Sequence, residues 1–312
     1  MHSVVVERRS ALVQVIRECN LACLHCSQSA PHSGSSPLRP ISLDQYEARL
    51  SSLVDSGLRR VRLTGGEPLL HPQLEDLVGI GVRLGLNMSL VTNGILLERH
   101  AEGLSHAGLN GAWISLYGAG FAQYQRVAQR TPPAQGLKRA IGALRGLKVK
   151  VGIYCCLHSS VGKPDFSLLE ELAGAGIDEV KFLQVMEQGR ALSDRDFGAD
   201  LATTLAAIRN FGSRNPSVRI GVSMRSGQVQ QFQSSGFFVP DYVGCVSGSP
   251  DSWTVDADGR VHPCCLFMGS STAAIEPDVG DGRARMGCCP ALPTYPAVPV
   301  DDFVCPLTYA RL

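Results

Sequence analysis

The sequence predicts an α/β fold: a partial (β/α)6 TIM-like barrel followed by a small, loop-rich, cysteine-ligated domain. Three observations predict it. Short apolar, β-branched runs alternate with amphipathic helical stretches six times before residue 212, which is the pattern of a parallel sheet with helical crossovers. The distinctive short motifs all fall just after the strands, on the rim where such sheets carry their chemistry. After residue 212 Gly, Ser, Pro and Cys become frequent and helical periodicity fades after residue 235. Such a segment is too poor in apolar residues to fold unaided, and metal is the usual supplement. The expected division is 1–212 for the barrel and 213–312 for the smaller domain.

Taken in order, residues 11–17 form an apolar strand, and a cysteine-rich loop follows directly. Residues 29–41 hold three prolines and form a loop. Ser42 caps a helix whose face is Leu43, Tyr46, Leu50 and Leu53, and Gly57 ends it. The strands that follow are 61–63, 87–91, 112–116, 149–157 and 179–185. The helices are 72–84, 96–107, a stretch to about residue 147 broken near Pro132-Pro133, and 165–175. Residues 217–223 make a further strand. Residues 253–261 read as a hairpin around an Asp258-Gly259 turn.

Bulk properties narrow the function. The net charge is +1, so nothing points to nucleic acid or a membrane surface. No apolar run is long enough to span a bilayer, and the N-terminus lacks the layout of a signal peptide. A cytoplasmic location is the expectation. Of the 11 cysteines, three lie at 19–26 and six at 245–305, with only Cys155 and Cys156 between. An odd count, clustered at ligand spacing in a chain without an export signal, favours metal over disulfides.

The first cluster is Cys19, Cys23 and Cys26. Three thiolates can hold three irons of a four-iron cluster, which ordinarily takes four cysteines. One iron is left open to another ligand. The run from Glu18 to Cys26, with Leu63-Thr64-Gly65-Gly66-Glu67-Pro68-Leu69, Thr92-Asn93-Gly94 and Ile114-Ser115-Leu116-Tyr117-Gly118 in that order, resembles the radical S-adenosylmethionine superfamily. The resemblance extends to about residue 190. It implies a [4Fe-4S] cluster on Cys19, Cys23 and Cys26, with S-adenosylmethionine bound through its methionine end to the open iron. Cleavage would give a 5′-deoxyadenosyl radical that takes hydrogen from an unactivated C–H bond. Gly65 and Gly66 would let the backbone approach the methionine ammonium, with Glu67 orienting the turn or adding negative charge. Asn93 and Ser115 would bond the ribose and carboxylate, although Asn-Gly is also ordinary turn chemistry. Residues 184–190 would pass the adenine, with Gln184 and Met186 in contact. Arg62 and Arg190 read as solvated or structural, with Arg190, after a glycine at the rim, also a carboxylate candidate, and His25 as packing.

The second cysteine group resembles a shortened auxiliary-cluster domain of the SPASM/twitch kind. It implies a second [4Fe-4S] cluster on Cys245, Cys264, Cys289 and Cys305, with Cys265 and Cys288 as alternates. A mononuclear zinc site is the simpler alternative. An auxiliary cluster can accept an electron, which gives dehydrogenation. A spare thiol can return a hydrogen atom, which gives epimerisation, and Cys265, Cys156 and Cys288 are the candidates. Strand alternation points one of Cys155 and Cys156 into the barrel. Only 18 residues precede Cys19, leaving no room there for a leader-peptide domain. A small polar metabolite such as an aminoglycoside-like sugar is therefore expected, with a flavodoxin- or ferredoxin-type reductant. The rivals are a peptide maturase with a separate leader-binding partner and a non-catalytic iron–sulfur protein.

Overall fold

Strand follows helix in the computed structural model as the apolar periodicity dictates. The model describes residues 10–32, 39–157, 165–185, 190, 201–223, 228–239, 252–262 and 309–312. In chain order the strands are β1 (Ser10–Ile16), β2 (Arg60–Gly65), β3 (Asn87–Thr92), β4 (Gly111–Leu116), β5 (Lys150–Leu157), β6 (Glu179–Gln184), β7 (Arg219–Ser223), β8 (Ser252–Val255), β9 (Val261–His262) and β10 (Tyr309–Arg311). The helices are α1 (Leu43–Asp55), α2 (Leu74–Arg83), α3 (Leu97–His106), α4 (Phe121–Ala128), α5 (Ala134–Gly146), α6 (Ser167–Ala173), α7 (Leu201–Arg214) and α8 (Val229–Ser234).

Local chemistry sets the boundaries. Ser42 Oγ accepts from Gln45 N, and Gln45 Oε1 accepts from Ser42 N. This reciprocal cap starts α1 and satisfies two otherwise orphaned donors. Gly57, at φ +94°, ends the turn after the helix, a backbone that favours glycine. The expected break near Pro132-Pro133 separates α4 from α5. It begins one turn earlier, at Gln129 with φ +55°.

One sheet runs β10-β7-β6-β5-β4-β3-β2-β1-β8-β9. β1 to β7 are parallel in sequence order, and β8 adds in parallel on the far side of β1. β9 and β10 run antiparallel at the two edges. The sheet described is therefore open, as in a partial barrel. Helices α1, α2, α3, α5 and α6 pack side by side in that order, the result of same-handed crossovers. Their leucines bury one row of every strand: Val61 and Leu63, Met88 and Leu90, Ala112, Ile114 and Leu116, Val151, Ile153 and Cys155, Val180 and Phe182. The alternate residues face inward.

The sheet does not stop at residue 212. β7 extends it from β6, and β8 extends it from β1. The parallel series is thus longer than the six units expected. α7, with Leu201, Leu205, Ile208 and Phe211 on its buried face, and α8 were not read from the sequence. The hairpin is present as β8 and β9, with Gly259 at φ +78° in its turn. Its carboxylate Asp256 is fully buried, accepting from Asp258 N and Arg260 N and bonding His262 Nε2 at 2.9 Å. No helix among the described residues is long and apolar enough to cross a membrane.

Candidate active site

β1 ends at Ile16 and releases the chain into the loop that carries Cys19, Cys23 and Cys26. The loop is stitched on all sides. Cys19 N donates to Pro31 O at 2.9 Å, Leu24 N to Val127 O in the last turn of α4 at 3.0 Å, and Cys26 N to Cys23 O at 3.2 Å. Arg190 clamps it from β6's side of the sheet. Its backbone N donates to Cys26 O, its Nε to Cys23 O at 2.9 Å and its Nη1 to Ala30 O at 3.2 Å. Arg190 therefore serves the loop, consistent with the structural reading.

All three cysteines are free; Cys19 and Cys23 are buried and Cys26 is half-buried. Burial pushes the Cys19 thiol up to about 11, opposed by the Leu21 N–H that points at its sulfur. Burial pushes Cys23 up to about 12, and the neighbouring Cys19 and Cys26 add to the rise. With Cys19 and Cys23 held protonated by burial, the three-cysteine loop is a site that a cationic iron centre stabilises as thiolates, with release of protons. Among the described residues no group of three His, Cys, Asp or Glu side chains converges tightly enough for a single metal ion. A four-iron cluster takes one thiolate per iron at separate corners. The donor set of sulfurs alone, approached by N–H groups, fits that cluster.

The turn after β2 docks on this loop through backbone. Gly66 N donates to Ile16 O and Glu67 N to Glu18 O, both at 2.8 Å. A Cβ at Gly66 would lie 2.1 Å from Glu18 O, and one at Gly65 2.5 Å from Ile16 O. The glycines are thus required by the cysteine loop itself, beyond any ligand. Glu67 is fully buried. Its Oε1 accepts from Leu69 N at 3.1 Å and Thr92 Oγ1 at 2.6 Å, and its Oε2 from Asn93 N at 2.7 Å. Burial raises its pKa to about 7, against the pull of those three donors. The side chain bolts the end of β3 to the turn after β2.

Asn93 continues the bolt. Its Oδ1 accepts from Ile95 N at 3.0 Å, and its Nδ2 donates to Asn20 Oδ1 at 2.7 Å and reaches Cys19 Sγ at 3.9 Å. Ser115 is half-buried on the inner row of β4, beside Tyr154 of β5. Gln184, at the end of β6, is turned the other way. Its Nε2 donates to Ser223 O and Gln228 Oε1, and its N to Ser223 Oγ. The rim thus brings together Cys19, Cys23, Cys26, Gly65, Gly66, Glu67 and Asn93, with Ser115 below and Gln184 tied to β7.

Of the adjacent cysteines, Cys155 pairs with Leu116 and Phe182 on the helix-covered face and is fully buried. Cys156 belongs to the inner row and is half-buried, and burial pushes its thiol up to about 12. The inner face also carries an arrangement that the sequence reading missed. Trp113 and Tyr154 stack at 4.6 Å, with Arg62 5.6 Å from the Trp113 ring centre and Lys181 Nζ at 4.8 Å. Their period-two positions on β2, β4, β5 and β6 were the available signal. Met186, Cys245, Cys264, Cys265, Cys288, Cys289 and Cys305 lie outside the described residues.

A partial parallel barrel with three free thiols on its rim, docked on a glycine turn, defines a class: a barrel scaffold for an iron–sulfur cluster. The chain belongs to the Radical SAM superfamily, whose model matches residues 13–168, half of its length. Membership implies a 4Fe-4S cluster and S-adenosylmethionine. A GTP 3′,8-cyclase from Xanthomonas axonopodis pv. citri (strain 306) is 29% identical over 301 residues, 92% of this chain and 86% of that protein. A probable GTP 3′,8-cyclase from Aeropyrum pernix is 32% identical over 186 residues, 57% of this chain and 51% of that protein. The matches to several other cyclases likewise span about half of their length. Among solved structures, Streptococcus suis SuiB bound to S-adenosylmethionine superposes with a TM-score of 0.69 at 14% identity, covering 86% of this chain and 63% of that one. Native anSMEcpe with bound AdoMet gives 0.59 at 17% identity, covering 83% and 74%. At these identities the likeness is one of fold.

Proposed function

We propose that this chain is a radical S-adenosylmethionine enzyme acting on a small polar metabolite held over the inner face of the sheet. One observation carries the proposal. The cysteine loop and the Gly65-Gly66-Glu67 turn are joined backbone to backbone, so a cluster on Cys19, Cys23 and Cys26 and a methionine moiety at the turn share one rigid seat. With both bound, a reduced cluster supplies the electron that splits S-adenosylmethionine and so provides a radical able to remove hydrogen from a C–H bond. The chain's residues do the rest. Glu67 and Asn93 fix the rim, Ser115 offers a hydroxyl from β4, and Gly65 and Gly66 keep backbone close to the ligand. Trp113 and Tyr154, with Arg62 and Lys181 near them, give the inner face apolar surface and positive charge, which suit a substrate with rings and anionic or polar groups.

Two substrate classes follow. The relatives named GTP 3′,8-cyclase favour a nucleotide. The sugar-like class, including aminoglycosides, rests on the expectation from the sequence. Cys156 holds its thiol protonated on the inner face, which supports hydrogen-atom return and epimerisation. A second cluster on Cys245, Cys264, Cys289 and Cys305 supports oxidation instead, and the density of cysteines from 245 onward is its ground. A flavodoxin- or ferredoxin-type protein in the cytoplasm is the proposed reductant.

Anaerobic reconstitution, followed by reductant and S-adenosylmethionine, tests the reading. It expects 5′-deoxyadenosine from the wild type and none from Cys23→Ala; no product from the wild type would reduce the chain to an iron–sulfur scaffold. About eight irons per chain support two four-iron clusters, and about four support one. Incubation with GTP and with aminoglycosides in deuterated solvent separates the substrate classes. Deuterium incorporated by the wild type and lost in Cys156→Ala marks the thiol as donor.

A further inference from the structure

Besides Leu21 N, which donates to Cys19 Sγ from within the loop, side chains from two different strand ends face the cysteine sulfurs. The Tyr117 side chain, one residue beyond β4, lies within reach of the Cys23 thiol. The Asn93 amide, one residue beyond β3, has two N–H groups: one goes to Asn20 Oδ1 at 2.7 Å and the other faces Cys19 Sγ at 3.9 Å. Neither placement is loose. The Tyr117 ring is wedged between His25 of the cysteine loop, at 5.1 Å, and Tyr124 of α4, at 5.4 Å. α4 is itself fixed to the loop by the bond from Leu24 N to Val127 O. Asn93 is buried and locked by Glu67 through its backbone N and by Ile95 through its Oδ1.

A hydrogen bond to a ligand sulfur stabilises the more negative, reduced state of an iron–sulfur cluster and so raises its reduction potential. We infer that Tyr117 and Asn93 are positioning residues that set the potential of the cluster on this rim, Tyr117 through Cys23 and Asn93 through Cys19. The inference rests on the reading of Cys19, Cys23 and Cys26 as cluster ligands and goes beyond it. It assigns Tyr117 a role that a packing residue would not have. It also gives Asn93 a role toward the metal site besides any toward the nucleotide.

The test uses the anaerobically reconstituted full chain without S-adenosylmethionine. The midpoint potential is followed on the reduced-cluster EPR signal that Cys19→Ala abolishes. Tyr117→Phe keeps both ring contacts and removes only the hydroxyl. It is expected to lower the potential by about tenfold in the one-electron equilibrium, about 59 mV, with wild-type iron content. Tyr124→Phe is the control. Its hydroxyl finds no partner among the described residues, so its removal should leave the potential in place. An unchanged potential in Tyr117→Phe at full iron content overturns the inference, as does an equal drop in Tyr124→Phe. Should Tyr117→Phe fail to hold iron, Asn93→Ser carries the same test through Cys19: a smaller drop supports the inference and none overturns it. A wild type with no Cys19-dependent signal is a different failure, that of the ligand reading itself.

Discussion

The same substitution, glycine to alanine, should act in opposite directions at two places in this chain. At Gly66 the new Cβ would stand 2.1 Å from Glu18 O and 2.5 Å from Arg17 O, both backbone atoms that cannot rotate away. Cβ contacts under 3.0 Å are essentially never seen, so the turn must retreat by about 1 Å from the cysteine loop. That retreat stretches the bonds from Gly66 N to Ile16 O and from Glu67 N to Glu18 O, each 2.8 Å, past useful length. Two lost bonds are worth about 2 kcal/mol, and more where the donors stay buried; about 3 kcal/mol is the expected total. At Gly142, exposed within α5, nothing lies within 4 Å of the added atom. Alanine there removes the helix penalty of glycine and should stabilise by about 0.5–1 kcal/mol. Urea denaturation of the cluster-free chain under reductant measures both. Iron uptake of Gly66→Ala should fall with its stability, since the turn and the cysteine loop move apart. A Gly66→Ala variant within about 0.5 kcal/mol of wild type would refute the argument that backbone contact, not ligand approach, demands this glycine.

Three further outcomes follow from the same geometry. Glu67 keeps its proton to about pH 7 in the folded chain, against 4.5 ordinarily. Between those values the unfolded state binds fewer protons than the folded one, so its contribution to stability falls as pH rises, by about 3 kcal/mol in all. Glu67→Gln never ionises and should gain on wild type by that amount from pH 4.5 to 7; parallel stability–pH curves for the two would show the reasoning wrong. Arg190→Ala removes both guanidinium bonds to the cysteine loop and should cost about 2 kcal/mol; it should also speed iron loss to a chelator, and wild-type loss rates would contradict the clamp. Asp256→Ala strips the acceptor from Asp258 N, Arg260 N and His262 in a fully buried site. A loss of about 3 kcal/mol or more is expected, read by denaturation, and a loss under 1 kcal/mol would count against it.

The sequence by itself determined the alternation and the motif positions. Strands of parallel sheets are buried on the helix side at every second residue, and helices repeat their leucines every third or fourth. Both periods are local, so β1 to β7 and α1 to α6 were legible, as were the Ser42 cap and the turn at Asp258-Gly259. The cysteine spacing was legible too, because three thiols in eight residues need no partner from elsewhere to be recognised. The tertiary structure decided how these pieces meet. That Gly66 is needed by Glu18, that Glu67 reaches Thr92 and Asn93, and that Arg190 grips Cys23 and Ala30 are contacts between residues far apart in the chain. No period or spacing encodes them. The same holds for Tyr117. In the sequence it is one residue of a strand-end motif, and it comes beside Cys23 only when β4 ends next to the loop that follows β1.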